Sequence, residues 1–395
     1  MRLIFISSWF SENMGYAENF LPKAFAKLGH EVHLVTSTAQ VYYNSKDYKK
    51  TYEPFIGKNI LDEGVKMVDG FTFHRLPFSK PLIGNTPIIT GLYDYLMKLK
   101  PDIIQTFEVT SRNTYNAAQF CKENGVSFFT ESHVHASVFN SNDWSVKIEE
   151  YVNRVHRNLK LINEMTVIHY PIAKDVLDIS MDHFKIPIQK IKMQSLGVDA
   201  DLFFPYNETL KEERGQLRVA LGFEMDDIVC VYTGRFTEDK NPLCLAQAVD
   251  HLQNSGETKF KALFVGSGTD ENLAAISSMK GCKIHSFVKV DKLPPFYRVA
   301  DIGVWPKQES TSQLDAMASG LPTIVSNKVK VTDRIDGNGF LYEENNHIDL
   351  ANKILLLKDA TLRAQMGAVG IGKIKTIYSW EAIANHRLLD YIDSI

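Results

Sequence analysis

The stretch Asp301-Ile-Gly-Val-Trp-Pro-Lys-Gln-Glu-Ser-Thr-Ser-Gln-Leu-Asp-Ala-Met-Ala-Ser-Gly-Leu-Pro322 reads as a strand to Pro306, a turn of small hydroxyl residues, and a helix start. A strand running through such a turn into a helix N-terminus offers backbone N–H groups and a positive dipole end to an anion. Glu309 and Asp315 flank the turn, and carboxylates there would repel phosphate. They point instead to hydroxyls, a ribose on one side and a sugar ring on the other. A diphosphate between two polyols is a nucleotide sugar. The plainer alternative is a βα loop with an N-capping Ser or Thr.

Outward from this stretch, strand-like and helix-like segments alternate, the signature of parallel α/β layers. In the first half, strands are expected at Arg2 to Ser7, Glu31 to Thr36, Asp102 to Thr106 and Ser127 to Thr130. Helices are expected at Glu18 to Leu28, with Phe20, Leu21, Ala24, Phe25 and Leu28 on one face, and at Val146 to Ile162. Residues 40–70 are polar and Tyr-rich and read as a long loop or insertion. After Gly197 the pattern restarts, with strands at Ile228 to Thr233, Lys261 to Val265, Lys283 to Phe287, Ile302 to Trp305 and Thr323 to Ser326, and a helix at Pro242 to Leu252. Each half is then a doubly wound unit, whose ligands bind at the carboxyl ends of the strands. Two such units facing each other would make a cleft. A last helix, Trp380 to Ile395, offers Trp380, Ile383, Leu388, Leu389 and Ile392 for packing back on the first unit.

A chain of 395 residues exceeds what one core usually serves. We therefore expect domains at 1–196 and 197–376, with 377–395 as the returning helix. The 44% hydrophobic and 23% charged composition is that of an ordinary globular protein, and the net charge of −3 gives no reason to expect nucleic acid. Cys121, Cys230, Cys244 and Cys282 show no Cys-x-x-Cys spacing, which argues for buried thiols in a cytoplasmic protein. Met1 to Ile6 is too short for a signal peptide, and no stretch approaches a membrane span. Lys46, Lys49 and Lys50, in the Tyr-rich stretch with Tyr42, Tyr43, Tyr48 and Tyr52, leave open a peripheral contact with an anionic inner membrane face, beside a solvated loop.

Several segments in order resemble the retaining GT-B fold glycosyltransferases, in particular the family-four group (glycosyl transferases group 1). They are Gly29-His-Glu-Val-His-Leu-Val-Thr36, Gly197-Val-Asp-Ala-Asp-Leu-Phe-Phe-Pro205, Thr233-Gly-Arg-Phe-Thr-Glu-Asp-Lys-Asn-Pro242, Phe264-Val-Gly-Ser-Gly268, Leu293-Pro-Pro-Phe-Tyr-Arg-Val-Ala-Asp301 and Leu314 to Pro322. The resemblance covers nearly the whole chain and is densest from 197 to 342. It implies a GT-B architecture of two Rossmann-like domains across a cleft.

The resemblance also implies roles. Arg235 and Lys240 match the pair that stabilises the departing nucleotide diphosphate. A planar fork beside a point charge suits a phosphate clamp, whereas the pair alone would read as surface cations. Gly15 matches the glycine-rich loop that approaches the donor phosphates, although Met14 replaces the usual first glycine. Asp315 stands where the second acid accepts ribose hydroxyls, with Ser310, Thr311 and Ser312 lining the donor turn. The first acid normally lies eight positions earlier, which falls on Lys307; either the turn is two residues shorter and Glu309 holds the donor sugar, or the role is lost. His133 matches a histidine near the reacting centre, His135 would face the other way, and Glu131 is a further candidate for acceptor contact. Val288, after Phe287, matches the loop that holds the base, with Phe287 itself expected in the core.

Asp199-Ala-Asp201 mimics a metal-binding Asp-x-Asp but lies in the interdomain junction, so no metal and no other cofactor are expected. Gly266-Ser-Gly268 opens like a dinucleotide fingerprint, but Glu271 would repel the pyrophosphate. The expectation is a retaining glycosyltransferase using a nucleotide sugar, UDP favoured, on a glycan, lipid-linked or small-molecule acceptor held by the first domain. A nucleotide-sugar epimerase of the same fold and a catalytically weak, partner-dependent homologue are the alternatives.

Overall fold

The computed structural model describes residues 1–12, 14–81, 85–135, 148 and 159–395. The chain divides into two compact units, residues 1–196 with 383–395 and residues 197–382.

In the first unit the strands are β1 (Arg2–Ser7), β2 (Glu31–Ser37), β3 (Gly64–Val68), β4 (Phe71–Leu76), β5 (Phe78–Ser79), β6 (Ile88–Ile89), β7 (Ile103–Thr106), β8 (Ser127–Ser132) and β9 (Thr166–Pro171). Seven of them form one sheet in the order β3-β4-β2-β1-β7-β8-β9. All neighbours are parallel except β3 and β4. β1 is apolar from Leu3 to Ile6, and its residues 3–7 and all of β7 are buried, as in strands covered on both faces. The strand β3 lies in the stretch we expected to be loop. Its partner β4 follows through Asp69-Gly70, both at positive φ (50° and 85°), and Asp-Gly is itself a hairpin signal. Val65 and Met67 on this edge are exposed. The Tyr-rich residues before it form two single-turn helices, Tyr48–Thr51 and Glu53–Ile56. Of the helix expected over 146–162, residues 146–158 lie outside the described residues apart from Ile148, and the chain resumes in the helix Leu159–Met165.

The closing helix, Trp380–Ile392, corrects our packing expectation. Leu389 and Ile392 are exposed, while Ile383, Ala384, Arg387 and Tyr391 are buried. The inward face follows the i, i+4, i+8 row 383–387–391, and it carries an arginine because the first unit buries a carboxylate opposite it.

The second unit has one sheet of six parallel strands, β10 (Ile228–Phe236), β11 (Phe260–Gly268), β12 (Cys282–Ser286), β13 (Ile302–Trp305), β14 (Thr323–Ser326) and β15 (Gly339–Tyr342), in the order β12-β11-β10-β13-β14-β15. β10 and β11 pair over nine residues each, to Phe236 and Gly268. This length depends on glycine, since a Cβ on Gly266 would lie 1.8 Å from the Gly234 carbonyl oxygen. The strand β15 falls outside the segments we expected from sequence. All four cysteines are free thiols, three of them buried and Cys282 partly so.

In each sheet the chain winds outward in opposite directions from one central gap, between β1 and β7 in the first unit and between β10 and β13 in the second. Such switch points leave a crevice at the carboxyl ends of the strands, where ligands of open α/β sheets bind.

Candidate functional site

The second unit's switch point gathers most of the residues singled out from sequence. Gly234, at φ 144°, lets β10 run on as Arg235-Phe236, and the Tyr232 hydroxyl donates to the Arg235 carbonyl at 2.8 Å. The chain then turns through Thr237, which accepts from the Lys240 amide at 3.1 Å, into the helix Pro242–Asn254, capped by Asn241. Arg235 is exposed, and its guanidinium makes no hydrogen bond or ion pair among the described residues. Lys240 is half-buried, and among the described residues its ammonium makes one hydrogen bond, to the Glu309 carbonyl at 3.3 Å. Burial pushes its ammonium pKa down, with Asp239 opposing and Arg235 adding to the fall. Two cations thus stand at one strand end near Asp239 but in no ion pair among the described residues.

Across the switch point, β13 leads into the hydroxyl turn. Ser312 Oγ accepts from Trp305 Nε1 at 3.0 Å and pairs with Ser310 Oγ at 2.6 Å, and Tyr297 donates to the Ser312 carbonyl at 3.3 Å. Tyr297 also pairs with Thr233 Oγ1 at 2.6 Å, which ties the turn to the end of β10. The serines are therefore largely spent on shaping the turn, while the amides of Ser310 and Thr311 make no hydrogen bond among the described residues. Asp315, in the short helix Ser312–Ala318, is half-buried, and its carboxyl has no hydrogen-bond partner among those residues. Burial alone pushes its pKa up to about 8. A neutral carboxyl at pH 7 can both donate to and accept from a vicinal diol.

Glu309 is engaged differently. Its Oε1 accepts the amides of Lys330 and Val331 at 2.6 and 3.1 Å, leaving Oε2 without a hydrogen bond among the described residues. Near it lies Arg334, which sequence reading missed. That side chain is buried over the Tyr378 ring, its guanidinium makes no hydrogen bond among the described residues, and burial lowers its pKa against the pull of Tyr378 and Glu309. No local pattern marks Arg334; only the return of the chain after β14 brings it to Glu309.

Val288 follows β12, half-buried against the core and two strands from β10. Phe287 is 55% exposed rather than in the core, because β12 ends at Ser286. Asp199 Oδ1 accepts from the Asp201 amide at 3.1 Å, a local turn contact.

Gly15 and His133 belong to the first unit. Gly15 precedes the helix Ala17–Lys27, and a Cβ there would meet nothing within 4 Å. His133 follows β8, and its Nε2 bonds Glu131 Oε1 at 2.7 Å. Glu131 is fully buried and accepts on Oε2 from Arg387 Nη1 at 2.5 Å and Gln105 Nε2 at 3.1 Å. Burial works against its charge, but Arg387 and His133 prevail and hold the pKa down at about 2. For His133 burial is again outweighed, by Glu131 and then Glu18, and its pKa is raised. His135 instead bonds Asp175 at 3.1 Å. Two further acids, absent from our sequence candidates, come to the same strand ends. Glu108, after β7, accepts from the Ser8 amide and the Ser8 and Ser111 hydroxyls, and burial pushes it up to about 7. Glu18, in the first turn of the helix after β1, is raised by burial as well.

With this geometry in view, the comparisons with known proteins fall into place. Residues 227–359 match the family model described as Glycosyl transferases group 1. That segment is similar to the group 1 glycosyltransferases. It spans β10 to β15 and so contains Arg235, Lys240, Glu309 and Asp315. A D-inositol 3-phosphate glycosyltransferase of Xylanimonas cellulosilytica is 27% identical over 210 residues, 50% of this chain and 50% of that protein. The chain thus spans about half the length of the curated relatives it matches. Among solved structures, a glycosyltransferase of Rickettsia africae superposes with a TM-score of 0.70 at 17% identity, covering 100% of this chain and 98% of that one. Anabaena Alr3699/HepE in complex with UDP-glucose gives 0.65 at 15% identity, with 100% of both chains covered. At such identities the likeness speaks to fold, and the fold is GT-B, with two Rossmann-like units. No helix among the described residues is long and apolar enough to cross a membrane.

Proposed function

We propose that this chain is a retaining glycosyltransferase of the family-four type. It moves a sugar from a nucleotide diphosphate sugar to a hydroxyl on a glycan, lipid-linked or small-molecule acceptor. The observation that carries this reading is that, among the described residues, Arg235 and Lys240 enter no ion pair, and across the switch point from them the amides of Ser310 and Thr311 and the carboxyl of Asp315 make no hydrogen bond. The cations suit a diphosphate, and Asp315 suits a ribose. Stabilising the charge that grows on a leaving diphosphate is the kind of work preorganised donors do best. The amino-acid side chains can supply that neutralisation, so we assign no metal to the reaction. Glu309 Oε2 is the group we assign to the donor sugar's hydroxyls, held in place by the Lys330 and Val331 amides on its other oxygen. Val288 is assigned to the base and Gly15 to the phosphate approach. His133 is assigned to the reacting centre, with same-face transfer assisted by the departing phosphate. A uridine nucleotide is favoured because Alr3699/HepE binds UDP-glucose. A cytoplasmic site of action, on peripheral membrane or on none, belongs to the same reading.

The test is calorimetric titration of UDP, GDP, ADP and dTDP, without added metal, against the wild type and Lys240→Ala. One nucleotide should bind well and lose roughly ten- to a hundredfold in affinity in the variant, the size of a hydrogen bond to a charged group. Binding of none of them would remove the enzyme reading and leave a degenerate homologue.

A further inference from the structure

The Tyr-rich stretch after β2 holds one aromatic ring out of the fold. Val41 and Tyr43 are buried, yet Tyr42 between them is 47% exposed. The loop around it is fixed on both sides. The Val41 amide donates to Ser11 Oγ at 3.2 Å, the Tyr43 amide donates to the Gln40 carbonyl at 3.1 Å, and the Tyr43 carbonyl accepts from Asn59 Nδ2 at 2.7 Å. Gln40, itself buried, donates to the Ile56 and Lys58 carbonyls at 2.5 and 2.8 Å. Held in this way, Tyr42 takes φ 59°, a left-handed conformation that suits Asn or Gly and strains a bulky residue. Strain of this kind clusters at sites that hold a ligand.

The ring is presented together with others. Tyr52 stacks on it, with centroids 4.5 Å apart and planes 18° from parallel, and Tyr48 tilts against Tyr52 at 5.9 Å. The Tyr42 and Tyr16 hydroxyls pair at 3.1 Å. Among the described residues the Tyr42 side chain has no further ring contact or hydrogen bond. Tyr52 takes one face of the Tyr42 ring, so its exposed surface is the opposite face and the rim. Tyr16 immediately precedes the helix Ala17–Lys27 that follows β1, and Tyr42 lies shortly past the end of β2. The rings therefore stand on the carboxyl-end side of two neighbouring strands, where open α/β sheets bind their ligands.

We propose that the Tyr42–Tyr52 stack, with the Tyr16 hydroxyl at its rim, is a subsite for one pyranose ring of the acceptor. This rests on the reading of the first unit as the acceptor's unit, and it narrows the acceptor to one that carries a sugar. A pyranose with equatorial hydroxyls turns its axial C–H bonds to a flat, apolar and faintly positive face, which complements the negative face of an aromatic ring. Its hydroxyls then meet the phenols at the rim. Of the two paired phenols one hydrogen is spent on the pair, and the other stays available to a ligand oxygen. The Tyr16 and Tyr42 hydroxyls bond no charged group among the described residues, which suits a neutral sugar. Rings fixed by the loop before the ligand arrives lose little conformational freedom on binding.

The experiment is an NMR titration of the full chain, labelled in the tyrosine rings, following the Tyr42 ring signal assigned with Tyr42→Phe. The probes are methyl β-D-glucopyranoside, D-glucitol, and vesicles of phosphatidylcholine with phosphatidylglycerol, with no nucleotide present. The glucopyranoside should move the signal saturably. Glucitol, which has the hydroxyls without the stacking face, should bind about tenfold more weakly, and the vesicles should leave the signal in place. Saturating the tyrosine ring protons should mark the axial ring hydrogens of the glucopyranoside. Tyr42→Gly, which takes a positive φ without strain, should fold like the wild type and lose that transfer. The proposal is overturned if the glucopyranoside does not move the signal, if glucitol or the vesicles move it as strongly, or if Tyr42→Gly keeps the transfer. The wild-type comparison of glucopyranoside with glucitol stands even if Tyr42→Gly fails to fold. Nucleotide binding does not enter the readout, so a failure of the donor-site reading would show separately in the calorimetry.

Discussion

The two units share a topology and treat their charged residues in opposite ways. At the β10/β13 switch point the cations Arg235 and Lys240 and the acid Asp315 enter no ion pair among the described residues. At the first unit's strand ends, Glu131 is locked between Arg387 and His133, the acid and the arginine buried and the histidine partly exposed. A charge left partnerless beside a crevice costs solvation that a ligand can restore, whereas a closed pair costs nothing further when the ligand is absent. The second unit leaves its charges open at the crevice, whereas the first closes them against one another, with one nitrogen of His133 pinned by Glu131.

This contrast is open to attack, most severely through Arg387→Ala. Removing one partner of a fully buried pair leaves an uncompensated charge, and we expect a loss of about 3–5 kcal/mol in the first unit's unfolding transition, read by urea denaturation. A loss under about 1 kcal/mol would mean the pair is not closed. A smaller effect should separate the units by pH. Asp315 ionises near pH 8 in the folded chain and at its ordinary lower value when unfolded, so its burial costs stability as pH rises from about 4 toward 8. Asp315→Asn carries no such penalty. Its melting temperature should gain on the wild type between pH 5 and pH 8, and an unchanged gap would show that the carboxyl is not held neutral. The mildest is Phe287→Ala. An exposed side chain outside the core should change stability by no more than about 0.5 kcal/mol. Nucleotide affinity by calorimetry should fall by no more than about tenfold if this loop packs on the base, and a clear loss of stability would mean Phe287 is part of the core after all.

Legibility in the sequence followed chain distance. The second unit's site is built from two continuous pieces, Thr233 to Pro242 and Glu309 to Pro322, each a strand end running into a helix start. Local pattern was enough to single out Asp315 and to expect most of the strands, whereas Arg235 and Lys240 were marked by the family resemblance and would read alone as surface cations. The misses have physical reasons. β3 was lost inside a polar stretch because an edge strand may keep polar and exposed residues, although the Asp69-Gly70 turn could have revealed it. Phe287 was assigned to the core by hydrophobicity, which does not say where a strand stops. Leu389 and Ile392 were assigned inward for the same reason, while the buried face went to Arg387.

Sequence by itself determined the alternating α/β layers and the restart at Gly197, because these follow from periodicity and short-range chemistry. Tertiary structure alone decided which charges are paired and which are open. Glu131 meets Arg387 across 256 positions, Glu309 caps amides 21 and 22 positions away, and Glu108 takes the Ser8 amide from 100 positions away. The state of a buried ionisable group is set by the few groups packed around it, and packing joins residues that no local pattern connects.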